Sequence, residues 1–273
     1  MKNLEGKFLD WVYYWSNVEG KSSLYKKTGI FEIRVHGISE YEQLLTGPHI
    51  FQQQNDFIFR GERRSDWPLY SSLKRVNRLI DNQMHLHNFR DFLVGRRGHN
   101  PCELNDEQLF NLGRHHGLQT PYLDWTFSPF VALFFAFAEP DENEEGSSKT
   151  DNKKSQTRLV YALNKRRILA RQRSLKNYFE FNTEPVEENS RALSQRGLFL
   201  KIDSDLEPWE LISNEFHRPN KSVWYLGIIH IDNKDREEIL RKLNWMNINY
   251  LTLFPDIYGA AMHANLKLEI DGY

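Results

Sequence analysis

Apolar residues recur along this chain with two periods, and the switches between them outline its elements. Leu4, Phe8, Trp11, Val12 and Trp15 fall on one face at helical spacing, which predicts an opening amphipathic helix. Ile30 to Val35 reads as a strand. Ser39 followed by Glu42 has the spacing of a capping box and predicts a short helix through Tyr41, Leu44 and Leu45. Asp56-Phe57-Ile58-Phe59 reads as a buried strand ending in Arg60-Gly61. Residues 76 to 116 are mostly polar with a helical period, and Leu104, Leu109 and Leu112 are their candidate core positions. Pro129 after Ser128 sits at a first-turn position, and Phe130 to Ala138 is apolar all round, so this helix should be buried.

Glu139 to Thr157 carries no apolar period, which predicts a surface loop inserted in one domain, because a strand at Leu159 to Leu163 resumes at once. Val223 to Ile231 reads as a strand. Asn233 to Trp245 reads as a helix with Ile239, Leu240 and Leu243 inward, and Ala260 to Leu268 as a closing helix. Strands and helices alternate irregularly and without repeats, which argues for an α+β fold.

Composition narrows the class. With 273 residues, 40% of them hydrophobic, the chain is long enough to bury a core of its own. Lys plus Arg (36) and Asp plus Glu (37) nearly cancel, so net charge gives no argument for nucleic acid or a membrane surface as partner. One cysteine, Cys102, excludes an internal disulfide framework and a cysteine-based zinc site. No apolar run is long enough to span a bilayer, and Met1 to Glu5 does not open a signal peptide. These features lead to the expectation of a cytoplasmic protein.

Several residues could carry chemistry. Arg60, at a strand end beside Gly61, could fork onto a phosphate or carboxylate, with Gly61 allowing close backbone approach. It could equally form a structural salt bridge to Asp124 or Glu62. Thr126 or Ser128 could cap the apolar helix, whose free amides could then face an anion, or it could simply be a capped core helix. His115 and His116 could supply a general base or a donor, although one histidine of such a pair is often buried and satisfied. Adjacent histidines cannot easily share one ion, so no metal is expected. Asp124, in an apolar run with Trp125, needs a partner, and Arg60 or Arg114 would serve. Asp256 reads as a turn or cap residue. The basic run Lys165-Arg166-Arg167, with Arg171 and Arg173, reads as a solvated face, nucleic acid being the alternative.

Several blocks together resemble the FRG domain family, named for its Phe-Arg-Gly motif. They are Phe59-Arg60-Gly61-Glu62, Asp66-Trp67-Pro68-Leu69 with Ser71-Ser72-Leu73, His115-His116-Gly117-Leu118-Gln119-Thr120, and Leu123-Asp124-Trp125-Thr126 with Ser128-Pro129. Arg191 to Phe199 and Leu253-Phe254-Pro255-Asp256 before Gly259 complete the set. Pro121-Tyr122 stands where the family more often shows Arg-Leu. The resemblance implies an FRG domain over residues 51–273, preceded by a helical and strand extension over 1–50.

A second resemblance is to the arginine-serine-glutamate class of ADP-ribosyltransferases. Phe59-Arg60-Gly61 looks like the arginine-glycine end of that class's first core strand. Thr126 to Ala136 looks like its serine-threonine-serine strand running into a Val-Ala-x-x-Phe-Ala helix. This implies an ADP-ribosyltransferase-like split mixed sheet with flanking helices and an NAD pocket. NAD would be the cofactor. Arg60 and Gly61 would hold its phosphates, Thr126 and Ser128 would support the nicotinamide-ribose side, and His115 or His116 would orient the ribose. Arg191 and Gln195 would line the pocket, with Asp124 and Trp125 in support. The class's catalytic glutamate would fall near Arg191, so Glu187, Glu188 or Glu215 would have to supply the carboxylate from a shifted position.

The implied function is NAD-dependent ADP-ribosyl transfer or NAD cleavage, as in an intracellular bacterial toxin or phage-defence effector. Its partners would be a macromolecular acceptor and an antitoxin or defence protein. The alternatives are a non-catalytic nucleotide- or phosphate-binding module and a metal-independent nuclease using His115, His116 and the arginines.

Overall fold

The computed structural model describes residues 29–47, 51, 56–76, 81–98, 103–140, 157–170, 175, 178–182, 190–215 and 224–273. The expected opening helix, Cys102, Glu187, Glu188 and nearly all of the expected 139–157 loop lie outside the described residues. So does the side chain of His115.

In chain order the elements are β1 (Ile30–Val35), α1 (Gly37–Thr46), β2 (Phe57–Glu62), α2 (Ser72–Val76), α3 (Asn82–Leu93) and α4 (Asp106–His115). Then come β3 (Tyr122–Thr126), α5 (Pro129–Phe137), β4 (Thr157–Asn164), α6 (Lys165–Ala170), β5 (Phe179–Asn182), α7 (Ser190–Ser194) and β6 (Gly197–Ile202). The chain closes with α8 (Pro208–Glu215), β7 (Leu226–Asp232), a single 3-10 turn (Asn233–Asp235), α9 (Arg236–Trp245), α10 (Tyr250–Leu253) and α11 (Ile257–Glu269). The fold is α+β, as the irregular alternation predicts: a mixed sheet of seven strands flanked by helices.

The strand order is β1-β7-β4-β2-β3-β6-β5. Only β1 and β7 run parallel; the other ladders are antiparallel. Each ladder but one runs the full length of its shorter strand. The exception joins β2 to β3 through the single pair Phe59 and Thr126. β4, in the middle of the sheet, is buried along its whole length, because both faces are covered.

One face packs Phe57, Phe59, Val160 and Ile229 against α5, α9, α10 and α11. The other packs Ile58, Trp125, Leu163 and Leu198 against α6 and α8. α5 is the buried helix the sequence predicts, with Pro129 at its first turn and the Ser128 hydroxyl accepting from the Val131 N–H at 3.3 Å. Its last carbonyls are met by two buried arginines. Arg158 donates to the oxygens of Ala136 and Glu139, each at 2.7 Å, and Arg236 to those of Phe137 (3.0 Å) and Ala138 (3.1 Å). Cations at a helix C-terminus satisfy orphan acceptors and complement the helix dipole.

Two local expectations are corrected. The helix expected from Ser39 begins two residues earlier, at Gly37, where a φ of 70° suits a residue without a side chain. Ser39 lies inside it, and Glu40, not Glu42, reaches back to the His36 N–H at 2.8 Å. The strand expected to stop at Arg60 runs on through Gly61 to Glu62, because β4 pairs with it to the end.

Candidate functional site

A cleft of about 370 Å³ opens where β2 and β3 part. In the β2–β3 register, Phe59 faces Thr126, so a continued ladder would set Gly61 opposite Asp124. Instead the Arg60 guanidinium takes the Asp124 carbonyl, Nη1 donating at 2.8 Å. Arg60 thus replaces a missing rung of the sheet and forms part of the cleft wall.

Gly61 is constrained from the other side. A Cβ there would stand 2.0 Å from the Ala132 oxygen and 2.6 Å from the Ala136 nitrogen. The backbone of α5 makes a close approach to Gly61, so helix packing alone is enough to require a residue without a side chain there. The glycine still borders the cleft, but its missing side chain is required by helix packing.

Arg114, on the last turn of α4, meets Arg60 across the cleft. Its Nη2 pairs with the Asp124 carboxylate, and its guanidinium lies over the Phe199 ring, 3.7 Å from the centroid. Burial pulls Arg114 below its ordinary pKa; Asp124 opposes that shift and neighbouring Arg60 reinforces it. Asp124 departs from expectation: its side chain is 66% exposed, the open position of an otherwise buried strand. It still organises both arginines, Arg60 through its carbonyl and Arg114 through its carboxylate.

Two buried arginine N–H groups beside the cleft have no acceptor, Arg60 Nε and Arg114 Nη1. Buried donors ordinarily have partners, so this set is suited to an anion or another strong acceptor. Phe135, Phe254, Ala132 and Ala192 supply apolar wall.

The far rim comes from α7 and the start of α11. Arg191 Nε donates to Asp256 Oδ2 at 2.7 Å, and its guanidinium stacks over Phe254 (5.3 Å) and Tyr258 (5.4 Å). Asp256 also caps α11, accepting from the Gly259 N–H at 3.0 Å. That hydrogen bond first, and then Arg191, hold its carboxyl below the usual range despite some desolvation. Gln195 bridges the rim, its Nε2 donating to the Leu253 carbonyl at 3.0 Å.

The structure therefore gathers Arg60, Gly61, Asp124, Trp125, Thr126, Arg191 and Gln195 around one cleft. Thr126 is committed internally: its hydroxyl donates to the Gln195 carbonyl at 2.7 Å and accepts from the Ser128 N–H at 3.0 Å. Ser128 is spent on capping α5 and does not border the cleft. His116, exposed at the C-cap of α4, does not border it either. Glu215 is exposed at the end of α8, away from the cleft, and Asp124 is the carboxylate among the residues that line it. Of the basic run, Arg167 donates to the Trp224 carbonyl at 2.9 Å, and Lys165 lies near the rings of Phe127 and Phe181.

Sequence reasoning did not single out Phe135, Phe254 or Ala192 as wall residues, and it cast Arg114 only as a partner for Asp124. The signal for Arg114 was its place beside the His115-His116-Gly117 block, which draws the eye to the histidines instead.

Residues 55–145 match the family model of the FRG domain. The matched segment holds Arg60, Gly61, Arg114, Asp124 and α5, while Arg191 and Gln195 lie beyond it. No curated protein and no solved structure matches the chain. No helix among the described residues is long and apolar enough to cross a membrane.

Proposed function

We propose that this chain, which carries an FRG domain, binds NAD in the Arg60 cleft and breaks the bond between nicotinamide and ribose. ADP-ribose passes to water or to a nucleophile on a macromolecular acceptor. The observation that carries this reading is the pair of arginines, Arg60 and Arg114, lining one cleft, each with a buried N–H that has no acceptor in the protein. Two guanidiniums on one cleft favour a ligand with more than one negative oxygen, such as a pyrophosphate. The Phe135 and Phe254 walls suit the uncharged ring parts of a nucleotide. An ADP-ribosyltransferase-like arrangement is supported by the parting of β2 from β3 beside the arginine and by α5 packed directly on β2 at Gly61.

The chemistry asks little covalent work of the protein. As the glycosidic C–N bond breaks, its electron pair leaves with the ring nitrogen and neutralises the pyridinium. Positive charge develops on the ribose. The acceptor oxygen or nitrogen then bonds to that carbon and releases its proton. A carboxylate near the ribose stabilises the developing charge. Asp124 fills that role in this cleft, being exposed on the open side of β3 and held in place by Arg114. Arg191 occupies the place in sequence where the transferase class carries its glutamate, and it is neutralised by Asp256.

The test is chromatography of NAD incubated with the protein and with Arg60→Ala, following nicotinamide. Release by the wild type alone supports the reading; absence of release together with absence of NAD binding overturns it. One observation favours a second reading, a nucleotide-binding module without turnover: the Asp124 carboxylate is already paired with Arg114. NAD would then raise the melting temperature of the wild type without yielding nicotinamide.

A further inference from the structure

Glu62 is a carboxylate with almost no access to water, 5% exposed, at the end of β2. Buried carboxylates require compensation, and this one has two cations. Its Oε2 accepts from Arg60 Nη2 at 3.4 Å and from Arg75 Nη2 at 3.1 Å. Glu62 stands two residues beyond Arg60 on the same strand, hence on the same face. The bond therefore holds the Arg60 side chain along its own strand while Nη1 reaches across to Asp124. With both terminal nitrogens engaged in this way, Nε is the one without an acceptor.

Arg75 is itself fixed, which makes the arrangement more than a pair. From α2 it donates through Nε to the Tyr70 carbonyl at 3.1 Å, and its guanidinium lies 5.4 Å from the centre of the Trp67 ring. Trp67, Arg75, Glu62 and Arg60 thus form a continuous chain of contacts from the Asp66-Trp67-Pro68-Leu69 turn to the cleft. This chain gives a physical reason for two sequence blocks that otherwise look unrelated.

We propose that Glu62 is a positioning residue: together with Arg75 it fixes the orientation of the Arg60 guanidinium in the cleft wall. The use of Arg60 on NAD rests on the function proposed above, but the positioning itself does not.

The test separates the two. Proton–nitrogen spectra of arginine Nε groups are recorded for the wild type, Arg60→Lys, Glu62→Gln and Arg75→Ala without ligand. The Arg60 Nε–H is identified as the resonance lost in Arg60→Lys. It should be sharp and slowly exchanging in the wild type, and shifted and broadened in both Glu62→Gln and Arg75→Ala. An unchanged resonance in folded Glu62→Gln would overturn the proposal, whether or not NAD binds. Calorimetry with NAD follows on the same samples. Glu62→Gln should bind about tenfold more weakly, the size of one charge-assisted hydrogen bond, and raise KM more than it lowers kcat. A lower melting temperature with wild-type NAD affinity would mean that Glu62 is only structural. A moved resonance with no NAD affinity even in the wild type would support the positioning role and sink the NAD reading alone.

Discussion

Arg60 and Asp124 are joined by a hydrogen bond from guanidinium to main-chain carbonyl, 2.8 Å long, at the point where the β2–β3 ladder stops. A side chain here does what a backbone amide does elsewhere in the sheet. The consequence is an opening between two central strands, bounded by a cation that belongs to the sheet itself. Such a position is rigid on one side and unsatisfied on the other, which is what an anion site built into a scaffold needs.

Arg60 should therefore not be replaceable by lysine. Lysine keeps the charge but has no planar fork to reach Asp124, Glu62 and a ligand together. Arg60→Lys and Arg60→Ala should both abolish NAD binding by calorimetry while keeping a native circular dichroism spectrum. Full binding by the lysine variant would mean that a point charge is enough and that the geometry is irrelevant.

Gly61 tests the packing role against the ligand role. Adding one methyl group would drive it into the main chain of α5, so Gly61→Ala should lose about 3 kcal/mol or more in urea unfolding. Gly117 is the control: its φ is 87° but nothing lies near a Cβ, so Gly117→Ala should lose only about 1–2 kcal/mol. If Gly61→Ala proved as stable as wild type and merely failed to bind NAD, the ligand explanation of this glycine would be restored.

Much of this was legible in the residues, and the gaps have physical causes. α5 could be read because Ser128, Pro129 and an apolar run agree at every level. β3 could not, because Tyr122, Leu123, Trp125 and Thr126 are all buried and Asp124 interrupts them without giving a clear alternation. β5, only four residues long with Glu180 and Asn182 among them, pairs with β6 alone. The continuation of β2 through Gly61 was hidden because the need for a glycine comes from a helix some seventy positions later. Arg60, Thr126 and Asp124, which border the cleft, stand out in the sequence because a charge or hydroxyl inside an apolar run is conspicuous. Phe135 and Phe254 escaped notice because aromatic residues in apolar surroundings look like core.

The Asp256 cap should make stability depend on pH in a predictable sense. Its folded pKa is depressed, first by the Gly259 N–H and then by Arg191. A depressed carboxyl contributes stability that is complete above its unfolded pKa, about 3.9, and is lost as pH falls through the lower folded value. Asparagine caps a helix about as well as aspartate, so Asp256→Asn removes the charge and spares the cap. The wild type should melt above Asp256→Asn near neutral pH, and the gap should close in acid. A gap that persisted below the folded pKa would assign the effect to something other than this charge.

Asp124 decides between an enzyme and a binding module. If its carboxylate steadies charge that exists only as nicotinamide departs, Asp124→Asn should lower kcat by about a hundredfold or more and leave KM near its wild-type value. If Asp124 serves only to neutralise Arg114, the same variant should instead weaken NAD binding and loosen Arg114 over Phe199, because a buried guanidinium loses its partner. The two outcomes separate in one set of single-turnover measurements, in which binding and bond breaking are followed independently. Unaltered binding together with unaltered release would remove Asp124 from the chemistry, and the carboxylate would then have to come with the acceptor.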